Sequence, residues 1–248
     1  MTLIGPEYEE TNPVYVQNAF DAYTGDTALE AVAKDNDGEY VTPGLGVVKV
    51  PRERWLRAQD YERNMWMVRG AGALDDGNER HAKYFNHYRD LPENVGSIVE
   101  FGAGPFTNVY HILEHHQASY ITLVDPLLST YFKHPHCTYK DGFLRGRSIK
   151  GYSVPVEEWQ PPEQYDTAVM VNTLFHVMDA QAVLDKLYDC LKPGGLVVFR
   201  EWPRQVDHTR QFDVGHPISV TPEFLYSFHA RFERIYWTNE WYLIGRKP

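Results

Sequence analysis

The sequence predicts an α/β protein built on a doubly wound, mainly parallel sheet with helices on both faces. Three observations predict it. Short apolar runs at 96–100, 120–125, 166–172 and 196–201 alternate with segments of helical length and period. The first run ends in Glu100-Phe101-Gly102-Ala103-Gly104, a strand leading through two glycines into a helix. Near the C-terminus two more apolar runs, 232–237 and 240–244, read as a hairpin turning at Thr238-Asn239.

The elements follow in order. Residues 1 to about 50 carry turn signals at Asn12-Pro13, Asp37-Gly38 and Pro43-Gly44, with Val47-Val48-Lys49-Val50 as a short strand. Pro51 suits the first turn of a helix, whose inward face is read as Ala58, Tyr61, Met65 and Val68 and whose end is Gly70-Ala71-Gly72. A second helix is expected from about Asn78 to Arg89 with Tyr84, Phe85 and Tyr88 inward. This gives a mostly helical extension over 1–90, ahead of a core over 91–248. In the core the expected elements are strand 96–100, helix 106–117, strand 120–125, helix 126–133, a strand near 150–154, strand 166–172, helix 180–191 and strand 196–201. Asp179 is a cap for the 180–191 helix, which turns Val183, Leu184, Leu187 and Leu191 inward. Thr221-Pro222-Glu223 opens a further helix with a cap, a proline and an acid in its first turn.

The glycine pair narrows the ligand. In open α/β sheets ligands bind at the carboxyl ends of the strands, where the order reverses. A second acid, Asp125, closes the next apolar run 21 residues beyond Gly104, where a Rossmann-type fold holds ribose hydroxyls. Its alternative role is to cap the helix that begins at Pro126. A pyrophosphate is disfavoured, because Pro105 removes a donor from the loop and Glu100 would repel a phosphate. Glu100 suits a cationic amine. A nucleoside with an amine and no phosphate describes S-adenosyl-L-methionine.

At this point the chain resembles the class I S-adenosylmethionine-dependent methyltransferases. Val99-Glu100-Phe101-Gly102-Ala103-Gly104 is similar to their first motif, and Leu123-Val124-Asp125-Pro126 to their second-strand acid. Tyr165 to Asn172 resembles the fourth-strand motif, and Leu191-Lys192-Pro193-Gly194-Gly195-Leu196 the turn into the fifth strand. The resemblance implies a seven-stranded Rossmann-like sheet with an antiparallel pair at its C-terminal edge, and a helical lid before it. It also implies that Glu100, Gly102, Ala103 and Gly104 floor the cofactor site beside Asp125 and Pro126. Val156 and Glu157 then face the adenine, and Asn172 lies closest to the transferred methyl group. The product is S-adenosyl-L-homocysteine.

Methyl transfer to a hydroxyl needs a base, and three histidines are candidates. His176 follows the fourth strand, while His208 and His216 lie in the loop after the fifth. His176 can equally be a helix-start histidine bonded to backbone. Neither Asn-Pro-Pro-Tyr nor Asp-Pro-Pro-Tyr follows the fourth strand, and no Pro-Cys pair does, which disfavours nucleic-acid bases as acceptors. The formal net charge of −10 points the same way. A small-molecule acceptor, a sugar or a specialised metabolite, is expected, methylated on oxygen or nitrogen. Two cysteines make no disulfide framework, and the crowded His134-Pro135-His136-Cys137 run does not match zinc-ligand spacing, so no metal is expected. The acidic first ten residues and the lack of an apolar run of membrane length give a cytoplasmic reading, with no membrane contact and a homo-oligomer left open. Two alternatives stand: an inactive cofactor-binding regulator, and a nicotinamide-dependent oxidoreductase.

Overall fold

The computed structural model describes residues 33–34, 40–42, 46–67, 78–203 and 214–248. Val68, Arg69, Gly70 to Gly72, Asp207, His208 and Asp213 lie outside the described residues, as do the turn signals at Asn12-Pro13, Asp37-Gly38 and Pro43-Gly44.

In the order of the chain the strands are β1 (Ala33–Lys34), β2 (Tyr40–Thr42), β3 (Gly46–Lys49), β4 (Ser97–Phe101), β5 (Tyr120–Val124) and β6 (Phe143–Leu144). They continue with β7 (Arg147–Tyr152), β8 (Tyr165–Val171), β9 (Leu191–Arg200), β10 (Ser219–Val220), β11 (Glu233–Trp237) and β12 (Tyr242–Arg246). The helices are α1 (Arg52–Met67), α2 (Asn78–Tyr84), α3 (Val109–Ile112), α4 (Leu128–Tyr131), α5 (Ala180–Asp189) and α6 (Pro222–His229). The main sheet runs β11-β12-β9-β8-β4-β5-β7-β6, and a small sheet runs β1-β2-β3-β10. Strands β4, β5, β7, β8 and β9 are parallel. β12 lies antiparallel between β9 and β11, which is the expected edge pair. The seven expected strands are joined by an eighth, since β6 is a two-residue fold-back onto β7.

From β4 the chain winds outward through β5 to β7, then returns to β8 and β9 on the other side. The reversal lies between β4 and β8, so their carboxyl ends flank the crevice where ligands bind in such sheets. Strand β4 is buried along its whole length, and the period of two divides it between the faces. Val99 and Phe101 join a core with α5 and α6, and Ile98 joins one with α2 and α3.

The caps form as expected: Ala182 N–H donates to Asp179 Oδ1 at 3.0 Å, and Thr221 caps α6 with Pro222 in the first turn. Several helices are shorter than their periodicity suggests. The 106–117 helix contracts to α3, because Thr107 and Asn108 turn to Glu100, and Gln117 pairs with the chain at Glu93 and Asn94. The 126–133 helix contracts to α4, and Pro135 follows shortly after. The helix expected over 78–89 ends at Tyr84, then turns sharply through positive φ at Asn86, His87 and Tyr88.

Tyr84 was expected inward and is 40% exposed, although its ring stacks on Tyr242 at 5.1 Å. Phe85 and Tyr88 are buried as expected. Phe85 meets Tyr242 edge-on at 4.8 Å and leaves no room for solvent. Phe85→Ala is therefore expected to lower unfolding stability by about 3–5 kcal/mol, read from urea titration. A loss within error of zero would mean that the Phe85–Tyr242 contact does not contribute to the folded core.

Candidate functional site

A cavity of about 250 Å³ opens at the carboxyl ends of β4, β5 and β8. It is lined by the loop Gly102-Ala103-Gly104 with Phe106, Asn108, Asp125 and Pro126. It is lined also by Trp55, Gln59 and Glu62 from α1, by Asn172, Thr173 and His176 after β8, and by His216. Pro155, Val156 and Glu157 complete the lining.

The two glycines do different work. Gly102 has φ +70, and a Cβ there would fall 2.1 Å from Thr173 Cγ2. The Thr173 hydroxyl in turn donates to the carbonyls of Phe101 and Val171, each at 3.2 Å, which ties the β4 and β8 loops together. Gly104 has φ +54, and its missing Cβ would meet only Phe106 N at 4.0 Å. Bare main chain therefore faces open space at Gly104, as a closely seated ligand requires.

Asp125 is 6% exposed and accepts from Gly104 N–H at 3.0 Å and Leu127 N–H at 2.7 Å. Burial pushes its carboxyl up to about 6, against those two donors, and Glu62 adds to the rise. Asp125 does not cap the following helix, whose N-cap is Leu127 with no side-chain bond; it braces the turn ahead of α4 and lines the cavity as well.

Glu100 corrects the sequence reading. It was expected to face a cationic amine, yet it does not line the cavity. It shares a face of β4 with Ile98, so its carboxylate points beneath the loop and accepts from the Thr107 hydroxyl and from the Asn108 N–H and Nδ2, the latter two at 3.0 Å. Complete burial pushes it up to about 7, and the bonds from Thr107 and Asn108 oppose the rise. Asn108 lines the cavity, and its Oδ1 is a buried acceptor with no hydrogen-bond partner. An unpartnered carbonyl oxygen beside bare backbone fits an ammonium donor.

Gly102, Ala103, Gly104, Asp125, Pro126, Val156, Glu157 and Asn172 all line the cavity. Asn172 adopts φ +59 and accepts from Arg200 Nη1 at 2.8 Å. Glu157 accepts from the N–H groups of Met178 at 2.6 Å and Asp179 at 3.1 Å, so its carboxylate braces the turn before α5. The carbonyls of Val156 and Glu157 are held by Lys186 Nζ at 2.9 and 2.7 Å.

His176 and His216 also line the cavity, with ring centroids 4.6 Å apart. His176 Nδ1 donates to Gly215 O at 2.9 Å and lies 3.6 Å from Glu62 Oε1. Burial raises the Glu62 carboxyl, and the charge of His216 and a bond from Trp66 pull it back. Trp55 Nε1 and Gln59 Nε2 both donate to the His176 carbonyl, at 3.0 and 3.1 Å. Sequence reading missed Gln59, Glu62, Asn108 and Thr173. The spacing of Trp55, Gln59, Glu62 and Trp66 along one helix face was the available signal.

Three carboxyls raised by burial give a pH dependence with a definite sign. Glu100 and Glu201 move from 4.5 to about 7, and Asp125 from 3.8 to about 6. The folded chain therefore binds more protons than the unfolded chain across that window. The stability from these groups is full below the ordinary carboxylate values and is lost as pH rises through about 7. Melting temperature is expected to be roughly 3 °C or more higher at pH 6 than at pH 8. A fall on acidification over that interval would contradict the burial of these acids.

A glycine loop at the reversal point of a doubly wound sheet, with an acid closing the next strand, defines a Rossmann-like nucleoside-binding protein. Comparison with known families narrows this. A family model described as a methyltransferase domain matches residues 73–237, and the chain belongs to that methyltransferase family. The expected class is therefore the one found, and the oxidoreductase alternative falls away. Among solved structures, the N-methyltransferase NodS from Bradyrhizobium japonicum WM9 is 16% identical with a TM-score of 0.51, over 71% of this chain and 99% of that one. The complex of DhpI with SAH is 15% identical with a TM-score of 0.53, over 80% of this chain and 100% of that one. These likenesses show the shared fold. No match is found among the curated proteins. No helix among the described residues is long and apolar enough to cross a membrane.

Proposed function

We propose that this protein moves the methyl group of S-adenosyl-L-methionine onto an oxygen or nitrogen of a small-molecule acceptor, a sugar or specialised metabolite, and releases S-adenosyl-L-homocysteine. The observation that carries this reading is one cavity lined by the Gly102–Gly104 loop and Asp125 together with Glu62, His176 and His216. When bound, the cofactor supplies an electrophilic methyl group on a sulfonium. Asp125 accepts from the ribose hydroxyls, Asn108 Oδ1 from the amine, and the backbone at Val156 and Glu157 reads the base. His176 and His216 handle the acceptor's proton, with His208 as the remaining candidate. The N-terminal segment through residue 90 serves as the lid, which is supported by the place of α1 on the cavity wall. An inactive binding protein would have no use for a histidine pair beside a carboxylate facing the cofactor loop. The net charge of −10 disfavours a nucleic-acid acceptor.

Titration calorimetry tests the reading. S-Adenosylhomocysteine is expected to bind the purified chain, and Asp125→Ala to weaken it roughly 10- to 100-fold with an unchanged circular dichroism spectrum. A folded chain that binds none at tens of micromolar protein, the order of concentration such a titration uses, would end the proposal.

A further inference from the structure

We propose that Glu62, His176 and His216 bind one divalent transition-metal ion of the zinc type on the acceptor side of the cavity. The three residues come from α1, from the turn after β8 and from the segment before β10. Their donor atoms nevertheless lie within 4.8 Å of one another. No other such group of histidine, cysteine and acidic donors gathers among the described residues. Two imidazoles and one carboxylate are a ligand set that zinc takes in catalytic sites, where a fourth position stays open. Zinc holds such donors at about 2.0–2.1 Å, so closure needs side-chain movements of roughly 1 Å.

The surroundings are built for ligation. The Gly215 carbonyl accepts from His176 Nδ1 at 2.9 Å, which leaves the lone pair on Nε2; Glu62 Oε1 lies 3.6 Å from that same Nδ1, so ligation through Nε2 requires the ring to turn toward the carboxylate. Metal-bound histidines use this kind of outer bond to set ring orientation. Gly215 itself abuts the carboxylate, since a Cβ there would fall 2.6 Å from Glu62 Oε1. The main chain that orients one ligand thus also confines another. All three residues line the cavity, so an open coordination position would face the acceptor space.

The use of the ion rests on the methyl-transfer reading above. An acceptor hydroxyl at the open position would lose its proton to water more readily, because the ion stabilises the oxyanion. The O–H bond breaks, and the new O–C bond forms as the S–C bond breaks with its electron pair left on sulfur. In that arrangement the imidazoles serve as ligands and the ion replaces the base.

The test uses the full chain, stripped with a chelator and dialysed, then titrated with Zn²⁺ by calorimetry and with Co²⁺ by visible absorption. The expected result is one ion per chain, with Co²⁺ giving the intense bands of a low-coordinate site. Glu62→Gln, which keeps size and shape, and His176→Ala with His216→Ala are expected to weaken binding by at least about 10- to 100-fold. The exposed His115→Ala should leave it unchanged. A wild-type chain that takes up no ion overturns the inference, as does equal binding by folded Glu62→Gln. S-Adenosylhomocysteine titrated into the stripped samples separates the two readings. Cofactor binding without metal binding removes the ion alone, and metal binding without cofactor binding removes the methyl-transfer reading alone.

Discussion

Gly102→Ala is expected to cost about 3 kcal/mol or more of unfolding stability and to weaken S-adenosylhomocysteine at least tenfold. Two effects add. A left-handed backbone costs a non-glycine residue roughly 1–2 kcal/mol, and Gly102 sits at φ +70. The new Cβ would also overlap the Thr173 side chain, whose Cβ, Cγ2 and Oγ1 all lie within 2.8 Å of it. Relief requires Thr173 to move, which breaks its bonds to the Phe101 and Val171 carbonyls and shifts the loop that floors the cavity. Gly142→Ala separates the effects, because Gly142 has φ +78 and a Cβ there meets nothing within 4 Å. Urea titrations of the two variants should differ by the steric part. Equal losses would show that the packing of Gly102 on Thr173 has no consequence.

The second large effect is expected at His176. For an oxygen acceptor, His176→Ala should lower kcat by about 10²- to 10⁴-fold, while affinity for S-adenosylhomocysteine stays within about twofold of wild type. The separation is expected because the His176 carbonyl accepts from Trp55 and Gln59, so the main chain there keeps two anchors when the ring and its bond to Gly215 O are lost. Removing the ring leaves the main-chain position in place. Single-turnover methyl transfer with a saturating cofactor measures the chemical step. An unchanged rate would move the proton's acceptor elsewhere, to His216 or His208. A rate loss alone does not distinguish an imidazole base from an imidazole ligand, which is why ion binding is measured separately.

The part of the cavity lining that depends on backbone was legible in the sequence. Gly102 and Gly104 mark turns that other residues resist, and Asp125 is found by its distance along the chain. The lining from α1 was less legible because it depends on which way side chains point. Hydrophobic spacing chose Ala58, Tyr61 and Met65 as the inner face of α1. The structure buries Trp55, Ala58 and Gln59 and turns Glu62 to the cavity, with Tyr61 and Met65 only half-buried. Helix faces that line a polar cavity carry polar residues, and an apolar periodicity passes over them. Glu100 failed for a related reason. Its position at the end of a strand was read correctly, while the alternation of faces decides that it points into the protein. The sequence singled out His176 and His216 separately, yet their meeting across 40 residues of chain is a tertiary fact that spacing does not reveal.

One feature of the small sheet bears on how this protein can be altered. Strand β10 pairs with β3 through Ser219 and Val47, and Arg54 Nη1 donates to the Val214 carbonyl at 2.8 Å. Two stretches some 160 positions apart in the chain are therefore joined beside the cavity. A chimera that imports residues 46–67 from a relative while keeping the native 214–220 would pair mismatched halves. Exchanging both together preserves the joint, so substrate preference should transfer as a two-segment cassette while the cofactor floor stays untouched.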